Sequence, residues 1–179
     1  MDLGLIARVP PRHVCLVGMM GSGKTTIGRR IARTLDRPFV DSDALLVERI
    51  GLTVAEIFAT HGEPWFRARE TEVLTDALDA TEPVVLAVAG GAVLDPGNRV
   101  LLRERATVLW LRATTHTIIG RIGDGRGRPL LAGDPSAAIR RLDAARRPVY
   151  TEVSHVVVDV DGISIERAAM RAVRALSTG

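Results

Sequence analysis

Residues 18–25 restrict the fold of this chain more than any other segment. They read Gly-Met-Met-Gly-Ser-Gly-Lys-Thr, which is the pattern of a phosphate-binding P-loop. A continuous apolar run, His13–Val17, precedes them, and a helical pattern over about Lys24–Leu35 follows. Glycines between a buried strand and a helix N-terminus allow several backbone amides to point at one anion. The arrangement predicts an α/β fold that binds a nucleoside triphosphate.

Lys24 has the clearest predicted role within this loop. The chain has 24 Lys and Arg residues, and Lys24 is the only lysine, so the position requires a compact ammonium where arginine serves elsewhere. We expect Lys24 to contact the β- and γ-phosphates and the hydroxyl of Thr25 to ligate Mg²⁺. The other loop residues predicted to bind ATP are Gly21, Ser22, Gly23 and Thr26.

Length and composition exclude several other classes of protein. A chain of 179 residues is expected to form one domain, residues 1–179. The longest apolar run, residues 84–94, is shorter than the ~20 residues of a membrane span. The net charge of +3 and the scarcity of aromatic residues disfavour nucleic acid as a partner. The lone Cys15 and the acidic start at Asp2 predict a cytoplasmic protein without disulfides or a signal peptide, and we expect a monomer.

Short β-branched runs alternate with helical patterns along the chain. This alternation predicts a three-layer α/β fold in which helices flank a parallel sheet. A capping box at Thr53 and Glu56 starts one helix, and Gly62 and Pro64 separate it from the next. The final helix is expected to begin after Ser164. The five predicted strands span residues 13–17, 39–41, 84–88, 107–111 and 156–158.

Residues 123–135 are irregular and rich in glycine, proline and charge. A segment of this kind inside a compact domain is commonly a mobile lid over a site, although a plain surface loop is the alternative. Either Arg126 or Arg128 could reach bound phosphates from it, and we favour Arg128.

Asp41 and Asp43 follow the second predicted strand, at the edge of a parallel sheet where ligands bind. One carboxylate could serve the Mg²⁺ shell while the other accepts a hydroxyl proton. The alternative is that Asp43 only caps the next helix. We expect the helices between about residues 43 and 80 to bind the phosphate acceptor.

Arginines and glycines supply the remaining candidates for the acceptor site. Arg67 has Glu70 one turn later, which predicts either an oriented fork for an anion or a surface ion pair. Gly90 and Gly91 close the third strand, where they permit close approach to a ligand or simply form a turn. Arg146 precedes Pro148 and lies among several other arginines.

These segments together resemble the shikimate kinases, in matching order and near-matching spacing. The resemblance implies a P-loop kinase fold with a five-stranded parallel sheet and a lid. It also implies Mg²⁺-assisted transfer of the γ-phosphate of ATP to the 3-hydroxyl of shikimate. The matching segments are residues 18–25, Asp41-Ser42-Asp43, Phe66-Arg67, residues 90–93, residues 128–131 and residues 146–150.

The resemblance also assigns roles to individual residues. It implies that Asp43 holds the shikimate hydroxyls and helps deprotonate the attacking one, while Asp41 acts through Mg²⁺. Substrate binding is further implied for Arg67 and Arg146, which clamp the carboxylate, and for the glycine pair, with Gly90 offering its amide. Glu70 would orient the arginines, Arg128 would contact phosphate from the lid, and Arg121 would lie against adenine. The substrate-binding residues are thus Asp43, Arg67, Gly90, Gly91 and Arg146.

One departure from the family pattern and two alternative functions remain at this stage. Ala89 stands where the family usually has a first glycine, and a positive φ there would cost about 1 kcal/mol. The nearest rival function is that of a small-polyol kinase such as a gluconate kinase, because P-loop scaffolds accept many substrates. A non-catalytic nucleotide switch is the alternative from a different class.

Overall fold

A computed structural model of the protein describes residue 9, residues 11–125 and residues 128–178. Five strands form one sheet in the order β2-β3-β1-β4-β5, and every neighbouring pair is parallel. The predicted five-stranded parallel sheet is therefore confirmed, with ends that shift by one residue at most. The strands are β1 (His13–Val17), β2 (Phe39–Asp41), β3 (Val85–Ala87), β4 (Ala106–Arg112) and β5 (Val156–Asp159).

Seven α-helices flank this sheet in the described part of the chain. The predicted break near Gly62 is confirmed, because this residue is non-helical, with φ 77° and ψ 171°, and divides the helical segment into two halves at a kink. The sequence did not predict the 19-residue helix that contains Pro148. The helices are α1 (Lys24–Leu35), α2 (Ser42–Ile50), α3 (Val54–Leu78), α4 (Pro96–Arg105), α5 (Thr115–Ile122), α6 (Pro135–Val153) and α7 (Ile165–Leu176).

The helices form layers on the two faces of the sheet. Helix α1 connects β1 to β2 in one direction along the sheet, whereas α4 connects β3 to β4 in the other direction. Because parallel crossovers are right-handed, the two helices lie on opposite faces. Helix α7 packs on α1, and α6 packs beside α4 and α5. The core between these layers is fully buried at Leu16, Leu86 and Leu109.

A smaller apolar cluster holds α2 and the kinked α3 together. Its buried members are Leu46, Ile57, Phe66 and Val73, and it is separate from the main core. These are the helices predicted to bind the acceptor. The cluster gives them a fixed base of their own at the end of the sheet where β2 stops.

Strand register brings the chemistry-bearing segments to one edge of the sheet. Ala87 in β3 pairs with Leu16 in β1 on one side and with Asp41 in β2 on the other. The chain then leaves β1 into the P-loop and leaves β3 toward Gly90 and Gly91.

No helix in the described residues is long and apolar enough to cross a membrane.

Candidate active site

One cleft of about 670 Å³ opens at this edge of the sheet and contains most of the predicted site residues. The P-loop, Arg67 and Arg146 all line this cleft. Two predicted residues, Ser22 and Arg121, do not line it. The predicted residues that do are Gly21, Gly23, Lys24, Thr25, Thr26, Asp41, Asp43, Arg67, Gly90, Gly91, Arg128 and Arg146.

The P-loop closes around the ammonium of Lys24. Its Nζ donates to the carbonyl oxygens of Gly18, at 2.9 Å, and Met19, at 3.2 Å. Gly18 has φ 142°, and a Cβ there would lie 2.6 Å from the Leu111 carbonyl oxygen, so only glycine fits. Burial lowers the pKa of Lys24 to about 8, against the opposing effect of the Asp43 and Asp41 carboxylates. A bound polyphosphate would restore full charge to this ammonium.

Ser22 lies beneath the loop rather than in the cleft. Its side chain is fully buried, and its Oγ has no hydrogen-bond partner among the described residues. A Cβ on Gly18 would lie 3.0 Å from that Oγ. The structure therefore gives Ser22 no side-chain route to the cleft, and its backbone amide donates to the Met19 carbonyl oxygen at 3.2 Å.

Asp41, and not Asp43, caps helix α2. The Asp41 carboxylate accepts hydrogen bonds from the backbone amides of Asp43, at 3.2 Å, and Ala44, at 3.4 Å. Its other oxygen accepts the Thr25 hydroxyl at 2.6 Å. The alternative that Asp43 serves as the cap is therefore wrong, and Asp41 also ties β2 to the P-loop.

Asp43 is consequently free to face the cleft. Desolvation by the surrounding protein raises the pKa of its carboxyl above the ordinary range, and the nearby Lys24 ammonium opposes this rise. Arg67 and Arg128 act on it in the same direction as Lys24. A carboxylate that lines the cleft near these cations is suited to accept a hydrogen bond or a proton from a bound hydroxyl.

Arg67 is part of a partly buried charge cluster, and the alternative of a simple surface ion pair is wrong. Its Nη1 donates to Glu70 Oε2 at 2.5 Å, and Glu70 is only 4% exposed. Burial raises the pKa of Glu70 to about 7 even though Arg67 opposes the rise. A Cβ at Gly91 would collide with the Arg67 guanidinium, so the second glycine of the pair makes room for this arginine.

Ala89 does not have the positive φ that would make alanine unfavourable in place of the family's usual first glycine. Among the described residues other than glycine, only Asp36 has a positive φ. The Ala89 amide donates to Ser42 Oγ at 2.8 Å in a buried position. Neither Gly90 nor Gly91 has a positive φ, and their role is close approach rather than an unusual backbone conformation.

Helix α6 separates the two adjacent arginines of the sequence. Arg146 is 2% exposed and lines the cleft. Arg147 instead pairs with Asp143 at 2.8 Å and donates to the Ala113 carbonyl, so it holds α6 to the sheet. Helical geometry, which places successive side chains about 100° apart, explains this division of roles.

Tyr150 is a residue of this site that the sequence analysis did not single out. It is fully buried, and its hydroxyl donates to the Gly90 carbonyl oxygen at 2.7 Å. Arg146 hydrogen-bonds the same hydroxyl, and burial raises the tyrosine pKa far above its usual value. Tyr150 lies one helical turn after Arg146, and this spacing is the only sequence signal for the contact between those two side chains.

Two predicted ATP-binding arginines lie toward opposite sides of the P-loop. Arg121 donates to the carbonyls of Gly21, at 3.1 Å, and Val160, at 3.3 Å, and lines a smaller cavity of about 240 Å³. Arg128 is exposed and lines the main cleft. Arg126, the other candidate from the predicted lid, lies outside the described residues.

Comparison with known proteins gives consistent matches. The shikimate kinase family model matches residues 20–177. A shikimate kinase from Ralstonia nicotianae is 49% identical over 148 residues, which covers 82% of this chain and 77% of that protein. The fold resembles that of shikimate kinase from Acinetobacter baumannii in complex with shikimate, with a TM-score of 0.90, 34% identity and 95% coverage of each chain.

A gluconokinase from Sinorhizobium meliloti is a more distant structural neighbour. Its TM-score is 0.60 at 23% identity, with coverage of 93% of this chain and 92% of that chain. A likeness at this level shows a shared fold only.

Proposed function

The chain belongs to the shikimate kinase family, and we propose that its cleft transfers the γ-phosphate of ATP to the 3-hydroxyl of shikimate. The observation that supports this most strongly is the single cleft that contains both a P-loop and a pair of arginines. A carboxylated triol needs guanidinium groups at its carboxylate and a carboxylate at its hydroxyls. Arg67, Arg146 and Asp43 line the same cleft as the P-loop and offer that complement, with Asp43 near Lys24.

At the nucleotide end, we assign phosphate binding to the P-loop amides, Lys24 and Arg128. The residues that fit Mg²⁺ are Thr25 and Asp41, since their hydroxyl and carboxylate oxygens already meet at 2.6 Å. The described residues contain no cluster of three or more His, Cys, Asp or Glu side chains suited to a metal. Mg²⁺ bound by Thr25 and Asp41 together with substrate phosphates would neutralise the charge that develops in transfer.

At the acceptor end, Arg67 and Arg146 would bind the carboxylate, and the Gly90 and Gly91 backbone would approach the ring closely. Asp43 would accept the hydrogen bond of the attacking hydroxyl and draw off its proton as the oxygen–phosphorus bond forms. Lys24 and Arg128 would stabilise the charge on the transferred phosphoryl group. ADP then leaves with the electron pair of the broken phosphate bond.

We also propose the wider setting of this reaction. Residues 1–179 would act as one kinase domain, with residues 123–135 closing as a lid that excludes water and residues 43–80 carrying the acceptor helices. Within that lid, Arg128, Pro129 and Leu130 line the cleft. The protein would work as a cytoplasmic monomer, with neither nucleic acid nor a membrane as a partner.

Arg67→Lys tests the assignment of the carboxylate clamp. Lysine cannot form the planar two-point grip of a guanidinium, so the KM for shikimate should rise by about tenfold or more while the KM for ATP changes little. Steady-state kinetics with each substrate varied in turn measure both constants. Arg69→Lys, on the same helix, is the matched control and should leave both unchanged. An equal rise of the two constants in Arg67→Lys would indicate a folding role instead.

Tyr150→Phe tests whether the buried hydroxyl holds the acceptor wall. The substitution leaves the Gly90 carbonyl without its donor, a loss of about 1–3 kcal/mol, and frees Arg146 on one side. We expect a severalfold rise in the KM for shikimate, with the KM for ATP unchanged. A lower melting temperature together with an unchanged KM for shikimate would show that the tyrosine contributes only to packing.

A further inference from the structure

A second cavity of about 660 Å³ lies behind Arg67, on the side away from the P-loop. Arg67, Glu70 and Gly91 line both this cavity and the main cleft, so they form the wall between the two. Glu63 lines only the second cavity. Its carboxylate therefore approaches Arg67 from behind the wall and not from the substrate side.

Glu63 accepts hydrogen bonds from one edge of the Arg67 guanidinium. Its Oε1 accepts from Nη2 at 2.8 Å and from Nε at 3.2 Å, while Glu70 accepts from Nη1 at 2.5 Å. A guanidinium has five N–H groups, and these three contacts leave one on each terminal nitrogen. One N–H from each terminal nitrogen is what an end-on grip of both oxygens of a single carboxylate requires.

The kink in helix α3 places Glu63 where it can make this contact. Gly62, at φ 77° and ψ 171°, ends the first half of the helix, and Pro64 lies in the first turn of the second half. Glu63 then starts the second half of the helix, and Arg67 follows at i+4, the spacing at which helical side chains meet. Because the helix restarts at this point, the half-exposed carboxylate of Glu63 can pair with Arg67 in the wall of the cleft.

We propose that Glu63 is a positioning residue that fixes the orientation of the Arg67 guanidinium for binding of the substrate carboxylate. This inference rests on the proposed function, in which Arg67 binds that carboxylate. With Glu63 on its rear edge and Glu70 at Nη1, Arg67 has little freedom to rotate. Binding of shikimate then does not have to restrict the arginine first.

Glu63→Gln is the direct test, because it removes the charge and nearly preserves the shape. We expect a rise of about fivefold in the KM for shikimate, with kcat and the KM for ATP changing less than twofold. Glu72→Gln is the matched control, since Glu72 pairs with Arg69 at 2.7 Å on the same helix and is similarly exposed. That variant should behave as wild type.

A double-mutant cycle with Arg67→Lys separates the possible failures. If Glu63 acts through Arg67, then Glu63→Gln should have no further effect on the KM for shikimate in an Arg67→Lys background. An unchanged KM in the Glu63→Gln single variant, or a lowered one, would overturn the positioning role, the latter because Glu63 would then compete with the substrate. If Arg67→Lys itself left the KM unchanged, the proposed carboxylate clamp would fail as well.

Discussion

Lys24→Arg should abolish turnover almost as completely as Lys24→Ala, with losses of about 10²–10³-fold in kcat for both. The charge is retained, but the loop closes on the ammonium with carbonyl contacts of 2.9 Å and 3.2 Å to Gly18 and Met19. A planar guanidinium cannot occupy that space without displacing a loop whose Gly18 has no room for a Cβ. Steady-state kinetics and a thermal melt on both variants measure the effect.

The converse exchange on the same helix is the control for this prediction. Arg33 is exposed on α1, so Arg33→Lys should leave both turnover and melting temperature unchanged. If Lys24→Arg kept near wild-type turnover, the ammonium would be acting only as a generic positive charge. The use of the single lysine at this position would then have no mechanistic meaning.

Asp43→Asn should lower turnover by about 10²-fold or more with little change in stability. The amide retains the shape of the side chain but cannot take a proton from a hydroxyl. Stability should hold because the cap of α2 is the Asp41 carboxylate, which the substitution leaves in place. The substitution also removes a first-turn negative charge, worth roughly 0.3–1 kcal/mol, and the attraction of that charge to Lys24, Arg67 and Arg128, while it relieves the larger desolvation of the carboxylate.

Glu48→Gln, which removes an exposed acid from the same helix, is the control and should be fully active. A fully active Asp43→Asn would remove the carboxylate from the chemistry. Positioning of the hydroxyl by other groups would then have to account for catalysis.

The parts of the fold and site that the sequence predicts are those fixed by local patterns. The P-loop motif predicts the strand before it and the helix after it. Thr53 and Glu56 predict a helix start, which the structure confirms as a reciprocal capping box. Gly62 and Pro64 likewise predict the kink in α3. Each of these signals depends on neighbours within a few residues, so a single sequence carries it.

Contacts between distant segments could not be predicted in this way. Tyr150 reaches Gly90 across 60 residues, and nothing near either residue indicates that pairing. Helix α6 was missed because Pro148 lies inside it and an irregular segment precedes it, which together favour a break. Asp41 and Asp43 both suit a helix cap by residue type, and only the backbone geometry decides between them.

The account depends most on what the cleft accepts as the phosphate acceptor. The measurement is ADP release by the purified chain with ATP and Mg²⁺, in parallel with shikimate, gluconate, AMP or no acceptor. We expect ADP release well above the no-acceptor background only in the reaction that contains shikimate, and a product that is phosphorylated at the 3-hydroxyl. Release that is equal in all four reactions, or greatest with gluconate, would contradict the assignment of Arg67, Arg146 and Asp43 to a carboxylated triol.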